Sequence, residues 1–169
     1  MQTLWNVLTI IGAVESILLV IAIVYALVLW ARGIFPALLR FGNGLARRKI
    51  AIFAKGDNMS SLKHLLLDSK LFREKNICEI AKKEDIGRAE AATVFLVFWH
   101  DWTLDIDEIL HKKPDECALV VYAPYDQGRI PDAQMKKLDG KRHTSVTNFR
   151  GRLLNDIVAS MITTGYEAV

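Results

Sequence analysis

Four short segments concentrate the side chains that have chemistry to offer. They are residues 55–60, with Lys55, Asp57, Asn58 and Ser60; 99–102, with Trp99, His100, Asp101 and Trp102; 125–129, with Tyr125 and Arg129; and 149–152, with Arg150 and Arg152. Two guanidinium groups two residues apart, at the start of a helical pattern, suit a phosphate or carboxylate. The planar fork of donors and the free N–H groups of a helix N-terminus both favour anions. Trp99, Trp102 or Tyr125 offers a ring on which a base can stack. The predicted ligand-binding set is Asp57, Asn58, Ser60, Trp99, His100, Asp101, Tyr125, Arg150 and Arg152, for a nucleotide-like or otherwise anionic ligand.

Catalysis finds less support in the same segments. His100 beside Asp101 invites an acid–base reading, but such roles depend on a placed nucleophile, and Ser60 and Ser61 lack the G-x-S-x-G surroundings of a nucleophile elbow. There is no G-x-G-x-x-G and no Walker A motif, so dinucleotide binding and NTP hydrolysis have no motif behind them. Cys78 and Cys117 are far apart and without metal-ligand spacing, and His64, His100, His111 and His143 are dispersed. Both cysteines are expected as small buried residues in reduced surroundings. The expectation is therefore no catalytic residue, no metal and no cofactor, with the question of an enzyme left open and a non-enzymatic role favoured. Lys136, Lys137, Lys141, Arg142 and His143 form a loose basic stretch, but a net charge of +3 is too small for nucleic-acid binding, and a solvated loop facing an anionic leaflet fits better.

The elements that must carry these segments alternate. Short apolar runs at 50–54, 77–80, 91–99 and 118–123, and a weaker one at 145–149, read as strands. Between and after them lie a helix capped by Ser60 or Ser61, with Leu62, Leu65, Leu66 and Leu67 inward, and helices over 84–92, 106–111 and 153–163. Strands alternating with helices predict an α/β domain with a parallel sheet covered on both faces. Right-handed crossovers favour five strands, doubly wound in the order 2-1-3-4-5. Ligands bind such sheets beyond the carboxyl ends of the strands, where the four segments fall. The element order over roughly 49–166 resembles the flavodoxin-like superfolds, including response-regulator receivers and TIR-like domains. The receiver's phosphorelay is not implied. Asp57 after Lys55 and Gly56 stands in place of an acidic pair, the third strand ends in Trp99, His100 and Asp101, and the fifth ends in Phe149 and Arg150 rather than lysine.

The hydrophobic share of 51% is concentrated in the first forty residues. From 8 to 31 the chain carries one charge, Glu15, and about 20 apolar residues suffice to cross a bilayer core. No Lys or Arg precedes Arg32, so the run lacks the basic start of a signal peptide and reads as an anchor with Trp5 and Trp30 in the two aromatic belts. Arg32, Arg40, Arg47, Arg48 and Lys49 follow it, which predicts an N-terminus outside and everything from about 40 in the cytoplasm, at a cell inner membrane. Glu15 shares a stripe with Gly12, Ser16, Ala22 and Ala26; small residues four apart let helices approach, and an intramembrane acid faces a partner or water, so a homo-oligomer is expected.

The organisation expected is thus an anchor over 1–35, a connector over 36–48 interrupted by Pro36 and by Gly42, Asn43 and Gly44, and an α/β domain over 49–169. Ile34, Phe35, Leu38, Leu39 and Phe41 in the connector suit the headgroup layer. This outline resembles that of small bacterial anti-phage effectors with a membrane helix and a Rossmann-like sensor. It implies a signalling or effector protein whose partners are the bilayer, copies of itself, and a nucleotide-like ligand or a protein. The alternatives are a tethered enzyme acting on a nucleotide or phosphoester, and an adaptor subunit of a membrane complex.

Overall fold

The computed structural model describes residues 2–164, except for the side chains of 3–11 and 34–47. The chain divides into two compact units, Met1–Gly42 and Asn43–Val169.

A single helix, α1 (Gln2–Arg47), dominates the first unit. Its segment Gly12–Gly33 has a mean hydropathy of 2.5 and no buried residue, and it is long and apolar enough to cross a membrane. Ser16 donates its hydroxyl to the carbonyl of Gly12 at 2.8 Å, a bond back along the helix that satisfies this polar group without a partner. The expected interruption at 36–48 does not occur, because the helix continues through Pro36 and the glycines to Arg47. A proline removes one N–H, and the Ala, Leu and Arg residues around it are strong helix formers. The expectations for Trp5 and for the apolar side chains of 34–41 lie outside the described residues.

The second unit is built on five parallel strands in the order β2-β1-β3-β4-β5. Every residue of β1 (Ile50–Phe53), β3 (Val94–Phe98) and β4 (Ala118–Tyr122) is buried, as unbroken apolar runs require of strands covered on both faces. The edge strands β2 (Ile77–Ile80) and β5 (Thr144–Thr147) each expose a residue, Glu79 and Val146, and the charge of Glu79 on β2 discourages further pairing there. Phe53 pairs with Val97, and Phe98 with Tyr122, so the three central strands end nearly level.

One face is covered by α2 (Gly56–Asp68) and α6 (Arg150–Thr164), whose Leu62, Leu66, Leu153 and Ile157 pack on Ile52, Leu96 and Val120. The other face carries a 3-10 helix (Lys83–Ala91), α3 (Trp99–Trp102), α4 (Ile106–Lys112) and α5 (Asp132–Asp139). There Phe53 meets Phe95 at 5.1 Å and the edge of Trp102 at 5.5 Å, with Ile86, Ile109 and Leu138 around them. The doubly wound α/β fold is the one expected.

Several boundaries differ. α2 begins at Gly56, ahead of the serines expected to cap it, and the left-handed φ of +51° at Gly56 turns the chain out of β1. β3 stops at Phe98, so Trp99 opens a helical turn rather than ending a strand. The segment expected as an α-helix over 84–92 winds as 3-10, and β5 ends two residues early because α6 starts at Arg150.

Candidate functional site

The carboxyl ends of β1 and β3 bring two of the four segments together. Lys55 follows β1 in extended backbone and has no side-chain cap of its own for α2. Asp101, from α3, supplies one: its Oδ2 accepts the Lys55 backbone N–H at 2.7 Å, and both of its oxygens lie 3.2 Å from Nδ2 of Asn58. The Lys55 ammonium sits 5.1 Å from the centre of the Trp102 ring, a cation–π contact. This is the topological switch point, where helix N-termini take anions. Here a carboxylate from the protein's own chain already takes hydrogen bonds at that helix start.

The expected stacking and acid–base groups are placed differently. Trp99 and Trp102, 2% and 1% exposed, belong to the core, so neither presents a face to a ligand. Both rings join Phe95 and Val97 in the core on one face of the sheet, the face that alternation along β3 already gives to position 99. Asp101 is engaged with Lys55 and Asn58, while Nδ1 of His100 is buried without a hydrogen-bond partner, so the two do not form a dyad. Asp57 and Ser60 are exposed on the first turns of α2.

Beside the switch point, between α2 and α6, lies a cleft of about 190 Å³. Asn58 and Ser61 line it from α2, Phe98 and Tyr122 from the strand ends, Asp126 and Gln127 from the segment after β4, and Arg150 from the start of α6. Phe98 and Tyr122 meet edge to face at 5.6 Å and form an aromatic floor. Arg150 donates to the carbonyl of Ser61 at 3.0 Å, which holds its planar fork in place and leaves further donors for a ligand. Tyr125 and Phe149 stack edge to face at 5.3 Å and are 69% and 55% exposed. Gly128, with φ +98°, closes this segment; a Cβ there would lie 3.8 Å from Nε2 of His100.

Of the predicted residues, Asn58 and Arg150 line the cleft, and Tyr125 is exposed in the loop that supplies Asp126 and Gln127. Arg152 does not line the cleft and, among the described residues, pairs with Asp156, one turn along α6, at 3.9 Å. Ser61 was considered as a cap or a nucleophile and Asp126 and Gln127 fall within the 125–129 segment, but none of the three was in the predicted set, and Phe98 and Tyr122 were not singled out by sequence. The strand-end rule that selected the loops could have found Phe98 and Tyr122, each the last residue of a central strand.

Burial pushes the Cys117 thiol up to about 12, whereas Cys78 is only half-buried rather than buried as expected. Among the described residues no three His, Cys, Asp or Glu side chains are grouped to hold a metal ion. In α1, Gly12, Glu15, Ser16, Ala22 and Ala26 are all exposed. Comparison with protein families, with curated proteins and with solved structures returned no match.

Proposed function

We propose that this chain is a single-pass membrane protein of the cell inner membrane, with its α/β domain in the cytoplasm acting as a ligand sensor for an oligomeric helix. The observation that carries the reading is the union of an exposed apolar helix, Gly12–Gly33, with a domain whose carboxyl-end cleft is lined by Arg150, Asn58 and Gln127. The basic residues after the helix, with none before it, support the orientation.

The cleft's size and lining narrow the ligand. A volume of about 190 Å³ lies below the few hundred Å³ typical of small-molecule sites, so it admits one end of a ligand while the remainder lies outside. Arg150 suits a phosphate or carboxylate, Asp126 suits a hydroxyl donor, and Tyr125 with Phe149 offers a stacking surface. Together these favour a nucleotide-like ligand. Glu15 on a face with Gly12, Ser16, Ala22 and Ala26 supports self-association of α1, and with it an effector output such as ion leakage. That pairing of sensor and membrane helix is the arrangement of small anti-phage effectors.

Native mass spectrometry of the detergent-extracted full chain tests the whole reading. The expected spectrum shows an oligomer that retains a nucleotide-sized mass, lost on Arg150→Ala. A soluble monomer, obtained without detergent and with nothing bound, overturns it. A specific observation favours an adaptor as the second reading: Leu104 is 97% exposed, and with Tyr125 and Phe149 it offers apolar anchors of the kind protein interfaces use. Under that reading a Leu104→Asp substitution releases a co-purifying protein, and Arg150→Ala does not.

A further inference from the structure

The opposite end of the sheet carries a second groove, larger than the first. At about 450 Å³, it runs along the amino ends of β1 and β2 and is lined by Lys49, Lys75, Arg88, Asn76, Cys78 and Glu79. The three cations come from three separate segments, preceding β1, β2 and β3, which the parallel topology delivers to one edge. Lys63 is shared between Glu79 at 2.9 Å and Glu74 at 2.8 Å, and Arg88 reaches Asp85 at 3.5 Å. Lys49 and Lys75 have no ion pair among the described residues. The groove's lining therefore carries three cations against one carboxylate, Glu79.

The chain comes into the domain at this same edge. Arg48 and Lys49 directly precede β1, and Arg48 donates to the carbonyl of Met161 and, at 3.1 Å, to Oγ1 of Thr164 near the end of α6. Lys141 and Arg142 sit in the turn before β5, at the same edge. Asp115 and Glu116 precede β4 and Glu74 precedes β2 at this same edge, so the positive charge belongs to the groove rather than to the whole end of the sheet. With Gly33 at the membrane exit, about 21 Å of helix leads to Arg47 at ~1.5 Å per residue and Lys49 follows two residues later, so a short length of chain tethers the groove to the span.

We infer that the groove formed by Lys49, Lys75 and Arg88 docks onto anionic phospholipid headgroups of the membrane that α1 spans. The inference rests on the membrane reading above. Anionic leaflets attract basic segments near the surface, and tethering raises the effective concentration of headgroups far above that of a free ion.

Cys78 lines the groove and reports on it, because the other cysteine, Cys117, is buried and its thiol is pushed up to about 12. The full chain is reconstituted into nanodiscs of phosphatidylcholine alone, or mixed about two to one with phosphatidylglycerol, and alkylated with N-ethylmaleimide. The expected result is alkylation of Cys78 slowed about three-fold or more by phosphatidylglycerol, with the slowing relieved by about 0.5 M salt. The combined variant Lys49→Gln, Lys75→Gln, Arg88→Gln, altered only at surface positions, should also lose the slowing. Equal rates in the two discs overturn the inference, as does slowing that survives the triple substitution. Equal protection by inorganic phosphate in phosphatidylcholine discs overturns the lipid assignment in favour of a free-anion site. A chain that fails to insert into discs contradicts the membrane reading itself, which is distinguishable from an inserted chain whose Cys78 reacts alike in both.

Discussion

Asp101 caps the start of α2 from outside that helix, its Oδ2 accepting the backbone N–H of Lys55 at 2.7 Å across a gap of forty-six positions in the chain. The bond ties the end of β1 to the turn after β3 at the place where a doubly wound sheet ordinarily receives an anion. Replacing Asp101 with Ala removes an ionised acceptor from a backbone donor and from Asn58, and should cost about 1–2 kcal/mol, in the range of a lost helix cap. Asp101→Asn keeps an acceptor without the charge and should fall between. Urea unfolding of the full chain in detergent measures both, and wild-type stability in the Ala variant would show that the cap contributes nothing.

Trp99 and Tyr125 looked alike in the sequence as stacking rings, and the structure separates them. Trp99 is 2% exposed and Tyr125 69%. Trp99→Ala should cost about 3–5 kcal/mol, as large core truncations do. Tyr125→Ala should stay within about 0.5 kcal/mol of wild type and act, if on anything, on ligand retention. The same denaturation curves decide it, and comparable losses at the two positions would contradict the burial.

The paired arginines divide in the same way. Arg150 lines the cleft and is anchored on the Ser61 carbonyl at 3.0 Å, while Arg152 is solvated and only loosely paired with Asp156. Arg150→Ala should abolish retention of a nucleotide-like ligand, and Arg152→Ala should leave it unchanged, as read by isothermal titration with a panel of nucleotides. Loss on Arg152→Ala with retention on Arg150→Ala would place the site elsewhere on α6.

Alkaline pH should expose the buried thiol. Burial raises the folded-state value of Cys117 from 9.0 to about 12, so above pH 9 the unfolded chain gives up a proton that the folded chain keeps. Stability from this group is therefore complete below pH 9 and falls as pH rises toward 12. Lys113 works in the opposite direction, because desolvation lowers its folded-state value and stability from it grows as pH approaches the ordinary lysine range. Cys117→Ala should lose less stability than wild type between pH 9 and 11, with Lys113 common to both chains. Parallel pH profiles of thermal unfolding would refute the assignment.

What the sequence determined by itself was the hydrophobic pattern and its consequences. The apolar length of Gly12–Gly33 marks a helix able to cross a membrane, and unbroken runs such as Val94–Phe98 and Ala118–Tyr122 mark strands covered on both faces. Alternation and crossover handedness then limit the sheet to very few orders, and 2-1-3-4-5 is the one observed. These signals are local, or follow from geometry common to all chains. Three-dimensional packing decided the rest. Serine as the cap of α2 was the natural reading until Asp101 supplied a bond from α3, and no window of neighbouring residues contains both partners. The fate of Trp99 turned on the helices that cover the face it shares with Phe95 and Val97, a covering made by residues distant in the chain. The cleft between α2 and α6 gathers Asn58, Phe98, Tyr122, Gln127 and Arg150 only because register sets three strand ends level, and register is a property of paired strands rather than of any one of them.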